Sequence, residues 1–219
     1  MITLEPPERA EVLRYLGGAK AQPDERLTAL LDSCESELLR IAAPKYLYRI
    51  IDLPCDELTP GEDIRTHLRG CDRAVLLCAT LGMEVDRVLR VTQLKDMPRA
   101  VVLDSMANVA IEQVCDKAER LITAELPDCY LTYRYSPGYG DYPVTMQQRF
   151  LEILDAPRKI GLSRNESYLL TPAKSVTAII GASKQPVERR RRGCAVCNLR
   201  ETCRYRRRGN HCGFEDASQ

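Results

Sequence analysis

Two stretches of the chain hold residue types and spacings that do chemistry. Near the end, Cys194-x2-Cys197-x5-Cys203-x8-Cys212 packs four thiols into nineteen residues with few apolar neighbours, so burial alone does not fold it. Four thiolates suit a [4Fe-4S] cluster or a structural Zn²⁺, the latter with His211 as an alternative ligand, and the spacing lacks the paired C-x-x-C knuckles of zinc ribbons. That favours the cluster, with disulfides or free thiols as the remaining reading. Nine Arg lie between Glu188 and Cys212. Beside thiolates they lower thiol pKa values and balance an anionic cluster; alone they are a solvated basic run. A third reading is a zinc knuckle that binds RNA phosphates, with Tyr205 stacked on a base.

The second stretch is "YRYSPGYGDYP", residues 133–143, which gathers four Tyr, two Gly and two Pro in a chain with no Trp and two Phe. A strand ending at Arg134 that breaks at Pro137-Gly138 brings backbone close to a ligand, because Gly offers no side-chain wall and Pro fixes the turn. Arg134 then suits a carboxylate, and the Tyr rings suit a purine or a sulfonium cation. A plain tyrosine-rich hairpin accounts for the same residues equally well.

The surrounding composition limits the rest. At 219 residues the chain fits one domain of generous size with a helical lobe and a tail. The net charge of +1 hides an asymmetry: from Lys184 onward ten Lys/Arg face four Asp/Glu, about +6, which leaves the body at about −5. No apolar run reaches the roughly 20 residues that span a bilayer, and the acidic start "MITLEPPERAEV" is unlike a signal peptide, so a cytoplasmic protein without a membrane partner is expected. The six Cys outside the tail are scattered singly, as reduced core thiols are.

The elements that must position the two stretches follow from periodicity. "PPERAEVLRYLG" and "DERLTALLDSCESELLRIA" predict helices, making residues 1–45 an N-terminal helical lobe. "YLYRIIDL" and "AVLLCATLG" predict strands, with a helix in "TPGEDIRTHLRG" between them and another in "MEVDRVLRVTQL" after them. Pro98 opens the longest helix, whose Val102, Met106, Val109, Val114 and Leu121 mark an expected buried stripe. A helix in "TMQQRFLEILDA" and two extended segments in "NESYLLTPAKSVTAIIGAS" complete an α+β body over 46–183, and 184–219 form the basic cysteine-rich tail.

Arg134-x-x-x-Gly138-Tyr139, Pro143 and "ILDAPRKIGLSRNESYLLTPAKSV" resemble the activation domain of cobalamin-dependent methionine synthase, which carries the same Arg-x-x-x-Gly-Tyr stretch and an "IG…ES…P…SV" block. "LLCATLGMEVDRVLR" and "VLDSMANVAIEQVCD" resemble free-standing relatives of that domain. The resemblance covers 1–183 and is most specific over 134–176. It implies a C-shaped α+β body that binds S-adenosylmethionine in a shallow groove. Arg134 would hold the methionine carboxylate, and the backbone at Ser136 and Gly138 with the Tyr139 side chain would hold the adenosyl half. Glu112 matches a family Glu in the preceding helix, with Asn108 as the match under a shifted alignment and a solvated surface carboxylate as the plain reading. The family's late-strand Tyr falls at Ile179-Ile180 here, which removes one adenosyl contact. Asp141, in "GDYP", either faces the sulfonium or caps the following helix.

The activity implied is reactivation of a corrinoid methyltransferase. Cob(II)alamin on a partner, methionine synthase or another corrinoid protein, is methylated at the expense of S-adenosylmethionine and one electron. The tail cluster would donate that electron, or relay it from a flavodoxin or ferredoxin. Neither His67 nor His211 lies in the Asp-x-His-x-x-Gly context of a corrinoid-binding domain, so cobalamin is expected only through the partner. His67 is expected at the surface or in packing. The alternative is a non-catalytic regulator that senses S-adenosylmethionine or binds nucleic acid through its tail.

Overall fold

The computed structural model describes residues 2–17, 22–187 and 201–207. Met1–Val187 form one compact unit and Glu188–Gln219 a second. The first unit runs α1 (Arg9–Tyr15), α2 (Glu25–Ile41), β1 (Lys45–Asp52), a 3-10 turn, α3 (Glu62–His67), β2 (Arg73–Thr80), α4 (Met83–Lys95), α5 (Met97–Glu125), β3 (Tyr130–Leu131), α6 (Met146–Leu154), α7 (Ala156–Ile160), β4 (Ser163–Arg164), β5 (Leu170–Thr171) and β6 (Ser175–Ser183). In the second unit α8 spans Arg204–Arg207. The main sheet is antiparallel in the order β1-β2-β6-β3, and β4 and β5 form a separate hairpin. The fold is α+β.

The central strands β2 and β6 are buried along almost their whole length because helices cover both faces. This explains why "AVLLCAT" and "AIIGAS" read as continuous apolar runs rather than alternating ones. On one face Val75, Leu77, Ile180 and Ala182 pack with Ala118 and Ile122 of α5. On the other, Leu76, Cys78 and Ile179 pack with Ile64 of α3, Phe150 and Leu154 of α6 and Ile160 of α7. A third cluster joins α1 and α2 to α4 and the first half of α5.

The long helix starts where Pro98 permits it, with the Asp96 side chain accepting from Arg99 N at 3.0 Å. Val102, Met106 and Val114 are buried as the periodicity predicts, but Leu121 is 46% exposed and Ile122 is buried instead. The reason is that α5 changes partner: its first half faces α2 and α4, its last turns face the sheet, so the buried stripe rotates around the helix. No described helix is long and apolar enough to cross a membrane.

The expected strand up to Arg134 is shorter than the sequence suggests. Gly181 N donates to the Thr132 hydroxyl at 2.8 Å rather than to a carbonyl, which interrupts the ladder, and the chain meets β6 again only through the Tyr135–Ile179 bridge.

Candidate functional site

Arg134 leaves the sheet edge just after that interruption and lies against α5. Its Nη2 is 2.8 Å from Glu112 Oε2 and 2.9 Å from Asp116 Oδ1, and its Nη1 is 2.7 Å from Glu119 Oε1. The acids are at i, i+4 and i+7 of one helix, so they share a face. The guanidinium is 9% exposed, whereas Glu112 and Asp116 are 51% and 55% exposed. Burial disfavours the charged form of Arg134, but the surrounding Cys115, Glu119, Glu112 and Asp116 outweigh it and push its pKa up. Arg134 is a fixed cation. Cys115, behind it, has its thiol pushed up to about 12 by burial and is neutral at ordinary pH, so the carboxylates supply the negative charge. Three carboxylates around one guanidinium leave this edge net negative.

Asn108 sits one turn before Glu112 on the same edge. Lys174 Nζ donates to Asn108 Oδ1 at 2.7 Å and pairs with Asp104 Oδ1 at 2.8 Å. Asp86 of α4, 6% exposed, accepts from Ala173 N at 2.6 Å and fixes the same loop. The two candidates, Glu112 and Asn108, are thus neighbours on one polar edge. Arg134 ties the Tyr-rich segment to it, and Lys174 ties the segment before β6.

The Tyr-rich segment is a tight turn anchored from below. Tyr142, 1% exposed, donates its hydroxyl to Leu58 O at 2.9 Å, and burial pushes its pKa up. Gly138 N donates to Tyr142 O at 2.8 Å, and Tyr139 N to Ser136 O at 3.2 Å. Among the described residues, the backbone groups of Ser136 and Gly138 that make no backbone hydrogen bond are the Ser136 N–H and the Gly138 carbonyl. Tyr139 is 67% exposed, and its ring lies 6.3 Å from that of Tyr135. At Gly140, φ is +54° and a Cβ would fall 2.1 Å from Asp63 Oδ2 and 2.8 Å from the Tyr135 hydroxyl, so only glycine fits there.

Asp141 caps a helix, but not the following one. Its carboxylate accepts from Glu62 N at 2.6 Å and from Asp63 N at 3.1 Å, at the start of α3, while its own N–H donates to Asp63 Oδ2. The reason is proximity across the fold: α3 begins beside the turn, whereas Thr145, which precedes α6, makes no side-chain cap. His67 is a packing residue, 8% exposed, with Nε2 at 2.9 Å from the Thr132 hydroxyl and its ring 4.9 Å from that of Tyr135. Ile179 and Ile180 are fully buried on opposite faces of the sheet.

Asp116, Glu119 and Lys174 are site residues that sequence reasoning missed. The acidic spacing 112-116-119 in the longest helix was the available signal for the first two; nothing local marks Lys174.

Of the four tail cysteines, Cys203 is described; Cys194, Cys197 and Cys212 lie outside the described residues. Cys203 precedes α8, and its Sγ accepts from Arg206 N at 3.5 Å. Among the described residues no group of three His, Cys, Asp or Glu is placed to hold a metal ion.

No protein-family description matches the sequence, and no curated protein matches it. Among solved structures the chain is similar to one titled "Crystal Structure of the MetH Reactivation Domain bound to AdoHcy", with TM-score 0.54 and 16% identity over 81% of this chain and 67% of that one.

Proposed function

We propose that this chain binds S-adenosylmethionine along the polar edge of α5 and presents its methyl group to a corrinoid protein, most simply a cobalamin-dependent methionine synthase that has lapsed to cob(II)alamin. The observation that carries this reading is that Arg134 and Glu112, 22 residues apart, meet, with Arg134 five residues before the exposed Tyr139. The likeness to a reactivation domain seen with S-adenosylhomocysteine, the product such a transfer leaves, supports it.

In this reading the ligand carboxylate takes the place of Glu112 or Asp116 on Nη2, since both are more than half exposed and exchange with solvent at little cost. Glu119 keeps its hold on Nη1 and preserves the guanidinium orientation. The released carboxylate, and the net negative edge as a whole, favour the ligand's ammonium and sulfonium cations. The Ser136 N–H, the Gly138 carbonyl and the Tyr139 ring meet the adenosyl half; with Ile179 and Ile180 buried, the opposite wall gives no aromatic contact. The chain's own contribution to the reaction is positioning.

One electron and the sulfonium methyl together convert cob(II)alamin to methylcobalamin and leave S-adenosylhomocysteine. Cys194, Cys197, Cys203 and Cys212 would hold a [4Fe-4S] cluster that supplies the electron, with zinc as the alternative occupant and an outside flavodoxin or ferredoxin then supplying it. Calorimetric titration with S-adenosylhomocysteine tests the site: the wild type binds, and Arg134→Ala binds at least about tenfold more weakly. Equal binding by both overturns the assignment.

A further inference from the structure

We propose that β1 is a self-complementary edge through which two copies of this chain join into one continuous antiparallel sheet. β1 is the outer strand of the main sheet and pairs with β2 in one unbroken register over all eight residues, with no bulge and no proline inside it. Leu53 N donates to Asp72 O in that same register, so the odd-numbered residues of β1 turn their amides toward β2. The even-numbered Tyr46, Tyr48, Ile50 and Asp52 therefore turn theirs outward, and among the described residues no backbone group pairs with them. A long, regular edge with open amides is the kind that other proteins shorten, bulge or cover.

The occupant follows from symmetry and from the side chains. Two copies related by a two-fold axis normal to the sheet pair residues of equal parity, so the outward even-numbered amides meet one another wherever that axis falls, and charge selects its position, since an axis at Arg49 would set Arg49 against Arg49. Centred on Tyr48, the pairing spans Lys45–Ile51: Tyr48 opposes Tyr48 of the second copy, Tyr46 opposes Ile50, Leu47 opposes Arg49 and Lys45 opposes Ile51. No like charges stand directly opposite each other. On the face toward α5, Tyr46 and Tyr48 already stack with ring centroids 6.3 Å apart and planes 9° apart, and the pairing extends this into a four-ring ladder. On the other face the aliphatic stems of Lys45 and Arg49 cover the half-buried Ile51 and Leu47 of the opposite copy. Closure by a two-fold leaves no further free edge on this side, so the assembly stops at two.

Light scattering of the full chain on a sizing column tests this, with two variants. The wild type is expected at twice the chain mass. Tyr48→Cys should form a disulfide-linked dimer on mild oxidation beyond any the wild type forms, because hydrogen-bonded opposite residues sit about 5.5 Å apart at Cα, whereas Arg49→Cys should not. Tyr48→Pro removes an outward amide without touching the β2 ladder and should run as a monomer with an unchanged circular dichroism spectrum. A monomeric wild type overturns the proposal, as does a dimer that survives Tyr48→Pro and fails to cross-link at 48. A monomer whose Tyr46, Tyr48 and Ile50 amides resist hydrogen exchange also overturns it, by showing that the chain's own tail covers the edge.

Discussion

Arg134 Nη2 and Glu112 Oε2 are 2.8 Å apart, and that contact ties the Tyr-rich turn to the longest helix of the fold. A second contact of the same kind, Lys174 with Asp104 and Asn108, ties the segment before β6 to the same helix two turns earlier. The polar edge of α5 thus sets the distance between the two segments that would enclose a ligand, and the site is only as rigid as these ion pairs.

Replacing Arg134 by Ala should weaken S-adenosylhomocysteine binding by at least about tenfold, the loss of one charge-assisted contact. It also leaves Glu112, Asp116 and Glu119 together without their cation. Their mutual repulsion should lower the melting temperature, and because these carboxylates are partly exposed the deficit should shrink as salt is raised. A deficit that ignores salt would assign the loss to packing rather than charge.

Gly140→Ala should destabilise far more than Gly17→Ala. Both residues have positive φ, so both substitutions carry backbone strain, but a Cβ at Gly17 meets nothing within 4 Å while one at Gly140 meets Asp63 and Tyr135. Urea titrations of the two variants separate strain, on the order of 1 kcal/mol, from the added clash. Equal effects would mean that the turn relaxes away from α3.

How much of this was legible in the sequence depends on how local each signal is. Asp96 and Pro98 lie next to the helix they start, and β2 and β6 announce themselves as apolar runs, so these elements are readable directly. Arg134, Gly138 and Tyr139 are readable as a group because a turn needs Pro and Gly at fixed positions. Asp141 misleads because its partners, Glu62 and Asp63, are 79 and 78 residues away, and a cap supplied from another segment has no local signature. Leu121 misleads because periodicity assumes one buried face, whereas α5 exchanges a helical partner for the sheet partway along.

Asp86→Ala should cost on the order of 1 kcal/mol, since it removes the acceptor of the Ala173 N–H, which belongs to an exposed residue where water can take the acceptor's place. The loss should reach the ligand site through Lys174, so S-adenosylhomocysteine binding should weaken along with stability. Calorimetry at a temperature where the variant remains folded decides this; full affinity there would detach the segment before β6 from the site.

Alkaline pH should destabilise the chain through its buried thiols, well below the range in which any arginine titrates. Burial pushes Cys71 up to about 11 and Cys115 up to about 12, and raises Cys78 as well. A thiol whose folded pKa lies above its unfolded value stabilises the fold fully below the unfolded pKa, about 8.5, and loses that contribution as pH rises through the folded value. Melting temperature should therefore hold steady to about pH 8 and fall from there to about pH 12. Cys115→Ala should flatten part of that fall, and an unchanged slope would mean that another group controls it.

One substitution in the tail would separate the proposed metal chemistry from ligand binding. Cys203→Ser removes a thiol whose Sγ is already hydrogen-bonded by Arg206 N, and it lies in the second compact unit, whereas Arg134 and its three acids lie in the first. Anaerobic purification of the wild type should give about four irons and four sulfides per chain, with broad visible absorption that bleaches on dithionite, if the thiolates hold a cluster. The variant should lose that colour and still bind S-adenosylhomocysteine as the wild type does, while failing to support reductive methylation of cob(II)alamin on a corrinoid partner. One zinc and no colour would instead make the tail a structural knuckle, and the electron would then have to come from an outside flavodoxin or ferredoxin.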